Sequence, residues 1–224
     1  MSKVPHYVRD YEDHVAHLLA HHPRDKAMEL AVGGGFDAIG ACEAEILELA
    51  GLKNGHSLLD VGCGSGRLAV QLARRFTQID YLGTDIVQAL LDYASEHSSP
   101  NYRFALNYEL TTTATDSSLD FVCAFSVFTH LFVQESYIYL QDIRRSLRPG
   151  GRVVFSFLEI GNGIHWRSFE NAVATRRRNN AGPMTMFIER PVIETWAQKL
   201  NFRIAEIYHG HKLGQSVAIL QRPN

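Results

Sequence analysis

Little in this chain suggests a disulfide scaffold, a membrane span or a nucleic-acid track. Its three cysteines, Cys42, Cys63 and Cys123, form no C-x-x-C pair and are odd in number. Reduced thiols and a cytoplasmic location are therefore expected. No apolar run reaches the roughly 18 residues that a membrane span needs. The early positions carry Asp10, Glu12 and Asp13 in place of the long apolar stretch of a secretion signal. A formal net charge of -2 gives the surface no overall attraction for nucleic acid or for a membrane. Repeats and low-complexity segments are missing too. At 224 residues the chain has room for one domain with a substantial core and a small appendage.

One further absence is more specific. The stretch Leu58-Leu59-Asp60-Val61-Gly62-Cys63-Gly64-Ser65-Gly66-Arg67-Leu68-Ala69 reads as a buried strand, a glycine turn and a helix start. Such a turn holds a nucleotide-like ligand at the strand's carboxyl end. The dinucleotide fingerprint G-x-G-x-x-G requires a glycine where this chain has Arg67. Asp60 precedes Gly62 and gives D-x-G-x-G-x-G; that carboxylate would repel a pyrophosphate and suits a ligand with a cationic amino-acid end. Asp85 closes a second apolar stretch at a spacing that suits both ribose hydroxyls. Asp85 alone would also fit a nicotinamide dinucleotide, so Asp60 and Arg67 carry the discrimination.

With these blocks the chain resembles the class I, Rossmann-like S-adenosylmethionine-dependent methyltransferases, in particular small bacterial-type enzymes acting on small molecules. The resemblance runs from about Gly33 to the C-terminus. It includes the glycine block, Tyr81-Leu82-Gly83-Thr84-Asp85-Ile86, Leu119 to Leu131, and Leu140 to Val154 with its Arg148-Pro149-Gly150-Gly151 turn. It implies an α/β fold with a doubly wound seven-stranded sheet, mostly parallel with one antiparallel strand and helices on both faces. It also implies S-adenosyl-L-methionine as cofactor and S-adenosyl-L-homocysteine as product.

Alternating apolar runs and amphipathic stretches agree with such a sheet. Strands are expected at Leu58–Val61, Ile79–Thr84, Tyr102–Leu106, Phe121–Phe125, Arg152–Leu158, Phe202–Tyr208 and Ser216–Gln221, the last two as an edge hairpin. Helices are expected at Arg67–Phe76, Val87–Glu96, Gln134–Leu147 and Pro191–Lys199. Before them the spacing predicts helices over Pro5–Ala20, Arg24–Val32 and Ala38–Ala50, so residues 1–50 read as a helical cap on a core of residues 51–224. Glu159 to Arg190 breaks the alternation and is expected to form a lid-like insertion on the ligand side.

The resemblance places Gly62, Cys63 and Gly64 against the cofactor, with Gly66 completing the turn. Asp60 would contact the amino-acid end, Asp85 the ribose and Ile86 the adenine. Asp85 is equally placed to cap the following helix. Where many relatives have an acidic residue near the adenine amino group this chain has Asn107 and Tyr108, an amide carbonyl and a ring. Ser126 would lie beside the cofactor. Gly34 and Phe36, in Gly33-Gly34-Gly35-Phe36, would close over it, though the run also reads as a plain hinge, with Asp37 free to cap a helix.

On the acceptor side, His130 is positioned either to take a proton from a hydroxyl or amine or to shape the pocket. Tyr11, Glu159 and Trp166 are the other candidate contacts, Glu159 reading otherwise as a solvated strand end. His14, His17 and His21 share one helix face and read as polar surface, not as metal ligands; no metal is expected. His209 and His211, and the run Arg176-Arg177-Arg178, read the same way. The expected function is methyl transfer to oxygen or nitrogen of a small molecule, with no nucleic-acid or membrane partner. The alternatives are an RNA or protein methyltransferase, a cofactor-binding scaffold without turnover and, more remotely, a dehydrogenase.

Overall fold

The structure, a computed structural model, describes residues 5–178, 183–210 and 212–224. His211 and residues 179–182 of the expected lid therefore lie outside the described residues. The strand order is β3-β2-β1-β4-β5-β7-β6 in one seven-stranded sheet. Chain contacts divide the molecule into two units, Met1–Glu109 and Leu110–Asn224.

The first unit opens with three helices, α1 (His6–His21), α2 (Arg24–Ala31) and α3 (Phe36–Leu49). Pro5 and Pro23 stand at the N-caps of α1 and α2, where a residue without an N–H gives up no bond. The glycine run joins α2 to α3: Gly33 and Gly34 donate to the carbonyls of Leu30 and Glu29, closing α2. Gly35, left-handed at φ 61°, is the N-cap of α3, so this helix begins at Phe36, two residues before its expected start. Asp37 consequently lies inside the first turn and does not cap; it accepts from Gln71 and Arg74. Then come β1 (Ser57–Val61), α4 (Arg67–Arg75), β2 (Asp80–Asp85), α5 (Gln88–His97) and β3 (Arg103–Leu106). β1, β2 and β3 pair in parallel, with Asp60 opposite Gly83 and Asp85 opposite Leu106. Helical crossovers are what parallel neighbours require.

The second unit holds β4 (Leu119–Ala124), α6 (Val133–Ser146), β5 (Leu147–Phe157), α7 (Gly163–Arg177), α8 (Arg190–Lys199), β6 (Arg203–Gly210) and β7 (Gln215–Gln221). β5 runs parallel to β4, while β7 is antiparallel to both β5 and β6. One antiparallel strand in a mostly parallel sheet is the arrangement the resemblance implies. β5 begins at Leu147, earlier than expected, because Leu147 already pairs with Leu119 before an irregularity resets the register at Arg152. The centre of this unit is dry: Val153, Val154, Phe155 and Phe157 of β5 and Val217, Ala218 and Leu220 of β7 are inaccessible. Apolar burial of this kind contributes about 25 cal/mol per Å². The helix of the insertion, α7, is different; His165 is its one buried residue.

Candidate functional site

The first unit assembles the glycine turn from three directions. Gly62, Gly64 and Gly66 all have positive φ, at 66°, 56° and 84°. At Gly64 the requirement is double, since a Cβ there would stand 2.5 Å from Val32 Cγ1 at the end of α2. The Cys63 amide donates to the Thr84 carbonyl at 3.0 Å and ties the turn to β2. Asp85 completes the tie. Its Oδ2 accepts from the Gly64 amide at 2.9 Å, and its Oδ1 accepts from the amides of Ile86 at 2.7 Å and Val87 at 3.0 Å. Helix α5 is N-capped by Val87, so Asp85 organises the approach to the helix and is not its cap. Burial pushes the Asp85 carboxyl above its ordinary range, with the three amides pulling the other way. A carboxylate offers about four lone-pair positions, and three are spent on these amides.

Asp60 is buried and accepts from the Tyr81 hydroxyl at 2.7 Å; the Tyr81 ring stacks on Tyr102. Burial, then the charges of Asp60 and Asp85, hold the Cys63 thiol protonated. Asn107 turns its side-chain oxygen toward its own backbone, accepting from the Glu109 amide, and Tyr108 is half exposed. The Tyr108 carbonyl accepts from Tyr7 of α1 at 2.8 Å.

The N-terminal helices grip the turn through polar contacts that sequence reasoning missed. Ser65 Oγ donates to the Met28 carbonyl at 2.9 Å, and Arg67 Nη1 to the Val32 carbonyl at 2.6 Å. Arg67 also pairs with Glu43 of α3, at 2.5 Å from Nη2 to Oε1. Glu43 is 1% exposed, and its burial outweighs the arginine and raises its carboxyl. A signal for Glu43 existed: it stands on the same helical stripe as Gly40 and Leu47, where an apolar residue belongs. Tyr11, Phe36 and Ile86 pack against one buried cluster of α1, α2 and α5. Tyr11 feels both Asp85 and Arg67, and burial followed by the Asp85 charge makes its hydroxyl a far weaker acid than usual. Gly34 is left-handed at φ 80° with open space around its Cβ position.

In the second unit, Ser126 follows β4 with a left-handed backbone, φ 59°. That conformation costs a serine on the order of 1 kcal/mol and persists where the surroundings fix it. Here they do: the Ser126 amide donates to Ser156 Oγ, its carbonyl accepts from Thr129 Oγ1 and its hydroxyl accepts from Gln215 Nε2. The other end of the Gln215 amide, Oε1, is shielded from solvent and has no partner among the described residues. His130 Nδ1 lies 2.6 Å from the Met184 carbonyl. A carbonyl only accepts, so Nδ1 carries a proton, and in the neutral ring Nε2 holds the lone pair.

Glu159 is 5% exposed and is no solvated strand end. Arg190 Nε donates to it at 2.9 Å, Ser216 Oγ donates to it as well, and His209 Nδ1 lies 3.4 Å away. These partners outweigh burial and hold its carboxyl below the usual range. Ser216 is fully buried and spends its proton on Glu159, so this trio is no nucleophile set. Trp166 is half exposed and packs on Phe169, which meets Phe187 edge-on. Arg190, Gln215 and Ser216 were not expected; only Arg190 left a trace, a cation at a helix start, where the macrodipole disfavours it. The His17 and His21 rings pack at a tilt, with His21 Nδ1 bonded to the His17 carbonyl. No metal-holding group of three was found among the described residues.

Residues 58–151 match the family model described as a methyltransferase domain. A phosphoethanolamine N-methyltransferase of Triticum aestivum is 30% identical over 134 residues, covering 57% of this chain and 26% of the relative. The chain thus spans about a quarter of that relative's length. Haemonchus contortus phosphoethanolamine N-methyltransferase 2, solved with phosphomonomethylethanolamine and S-adenosylhomocysteine, superposes with TM-score 0.69 at 18% identity, covering 97% of this chain and 60% of that one. Magnesium protoporphyrin IX methyltransferase from Synechocystis, solved with S-adenosylhomocysteine, gives TM-score 0.64 at 16% identity, covering 94% and 93%. Residues 58–151 thus match a methyltransferase domain, and the chain shares the fold of methyltransferases solved with S-adenosylhomocysteine.

Proposed function

We propose that this protein transfers the methyl group of S-adenosylmethionine to an oxygen or nitrogen of a small molecule. The observation that carries the reading is the Asp85 carboxylate, buried, bound by three amides and left with one acceptor position at the glycine turn. A ribose hydroxyl fits that position, and Asp60 supplies a buried carboxylate for an ammonium end. The cofactor supplies an activated methyl on a sulfonium, open to in-line displacement. Ile86 and Phe36 would line the adenine side, and Tyr11 would close over the ribose from α1. The residues 1–50 cap is thereby a cover joined to the turn itself.

In the acceptor region the chain would bind and orient the nucleophile, which supplies roughly 7–11 kcal/mol in favourable cases. His130 Nε2 is the candidate to take the acceptor's proton. Relatives and similar structures named for small substrates support this acceptor class. No helix among the described residues is long and apolar enough to cross a membrane. The buried thiols of Cys63 and Cys123 suit a reducing compartment.

Calorimetry tests the cofactor first: S-adenosylhomocysteine should bind and raise the melting temperature, and NAD should not. The reverse result would end the assignment. Turnover is then read with an acceptor library and labelled S-adenosylmethionine. With an acceptor in hand, His130→Ala should lower kcat roughly 10²–10⁴-fold, remove one limb of the pH–rate profile and leave cofactor affinity unchanged. A loss confined to KM would reduce His130 to a shaper of the pocket. Tight binding without any turnover would favour a regulatory or scaffold role.

A further inference from the structure

The insertion, the start of α8 and the end of β6 border an open cavity of about 490 Å³, lined by Glu159, Gly161, Asn162, Glu189, Arg190 and His209 among others. Its size falls within the few hundred to about 1,000 Å³ of small-ligand pockets. Most of its polar capacity is already committed. Glu159 is neutralised by Arg190 and Ser216. Arg190 Nη2 and Asn162 Nδ2 both approach His209 Nδ1, at 3.1 and 2.8 Å. Both contacts engage the same His209 ring nitrogen.

Two groups retain unused capacity. Glu189 Oε1 accepts from the amides of Ile160 and Gly161, whereas its Oε2 has no partner among the described residues. Gly161 leaves that oxygen accessible, since even a Cβ there would only touch it, at 3.4 Å. Arg190 Nε and Nη2 are engaged, whereas Nη1 has no partner among the described residues. The cavity therefore presents one unspent anionic acceptor and one unspent cationic donor on adjacent residues. A zwitterion answers both groups, whereas a lone anion or a lone cation answers one.

We propose that this cavity binds a small zwitterion, a free amino acid, with its ammonium on Glu189 and its carboxylate on Arg190. Charge-assisted contacts of this kind are the stronger hydrogen bonds, and each half of the ligand answers one half of the site. The proposal is independent of the methyl-transfer reading, because it requires neither cofactor nor turnover.

The test is a titration of the full-length protein, saturated with S-adenosylhomocysteine, with glycine, acetate and methylamine in turn. The backbone signals of Gly161 and Gly163 are followed by NMR. Glycine should shift both with a dissociation constant of order millimolar, and acetate and methylamine should each bind at least about tenfold more weakly. Glu189→Gln should weaken glycine about tenfold or more while leaving the melting-temperature rise with S-adenosylhomocysteine intact. Arg190→Lys, which keeps a cation for Glu159 but removes the planar fork, should do likewise. Acetate matching glycine, methylamine matching glycine, or no shift with any of the three at about 100 mM would each overturn the zwitterion site.

Discussion

The buried carboxylates of the two units are shifted in opposite directions. In the first unit Asp85 and Glu43 are raised, because loss of water outweighs three amides in one case and an arginine in the other. In the second, Glu159 is lowered, because Arg190, Ser216 and His209 together outweigh the same penalty. Burial alone therefore does not set the sign; the donor supply does. Asp85 keeps one acceptor position beyond its three amides, the position that the proposed function gives to a ribose hydroxyl. Glu159 is completed by its own chain and serves to hold β5, α8 and the hairpin together.

The harshest way to break this contrast is Arg67→Ala, which strands Glu43 without its partner. A loss of about 3–5 kcal/mol is expected, read by denaturant melts. Replacing both partners with apolar residues of similar volume should recover most of it, and failure to do so would show that the pair positions the turn as well. Next is Asp85→Asn, expected to weaken S-adenosylhomocysteine by about 1.5–3 kcal/mol in calorimetry, the worth of a charge-assisted bond. An unchanged affinity would mean that the fourth acceptor position is not used. Glu159→Gln should cost about 1–3 kcal/mol of stability and leave cofactor affinity alone.

The smallest effect is the dependence on pH, and its sign differs between the regions. Glu159 has a depressed pKa, so its contribution is full above the unfolded value of 4.5 and is lost as pH falls through the folded one. Burial also lowers His165, whose contribution is full above 6.5 and declines below it. Asp85 and Glu43 are raised, so theirs is greatest below their ordinary values of 3.8 and 4.5 and is lost as pH rises through the raised ones. Between pH 7 and 5, hydrogen-exchange protection factors should fall around α7 and hold or rise around the glycine turn, and the fall around Glu159 should follow only below its ordinary value of 4.5. A uniform change across both units would erase the comparison.

The sheet was readable because each strand is an apolar run set between helix-period stretches, and that pattern is local. So was the glycine turn, whose spacing specifies a backbone shape. The partners of Glu159 were not readable. Arg190, His209 and Ser216 lie between 31 and 57 residues away from it, and no motif links them. The start of α3 was misplaced because a left-handed Gly35 opens the helix where the sequence suggested a hinge. Asn107 directly follows β3, and its side-chain hydrogen bond to Glu109 is a local choice that residue type leaves open.

The clasp between the N-terminal helices and the glycine turn also bears on when each part of the protein can form. Its ties, Met28 to Ser65, Val32 to Arg67 and Glu43 to Arg67, each span fewer than 40 residues. Every one of them, and Asp85 as well, lies before Glu109. Such short-range contacts close quickly. On a ribosome adding about 5–20 residues per second, the first unit has several seconds to organise before the second emerges. Under the proposed function, cofactor encountered in that interval would meet a finished glycine turn, and the nascent chain would have a ligand to stabilise it before it has anything to methylate.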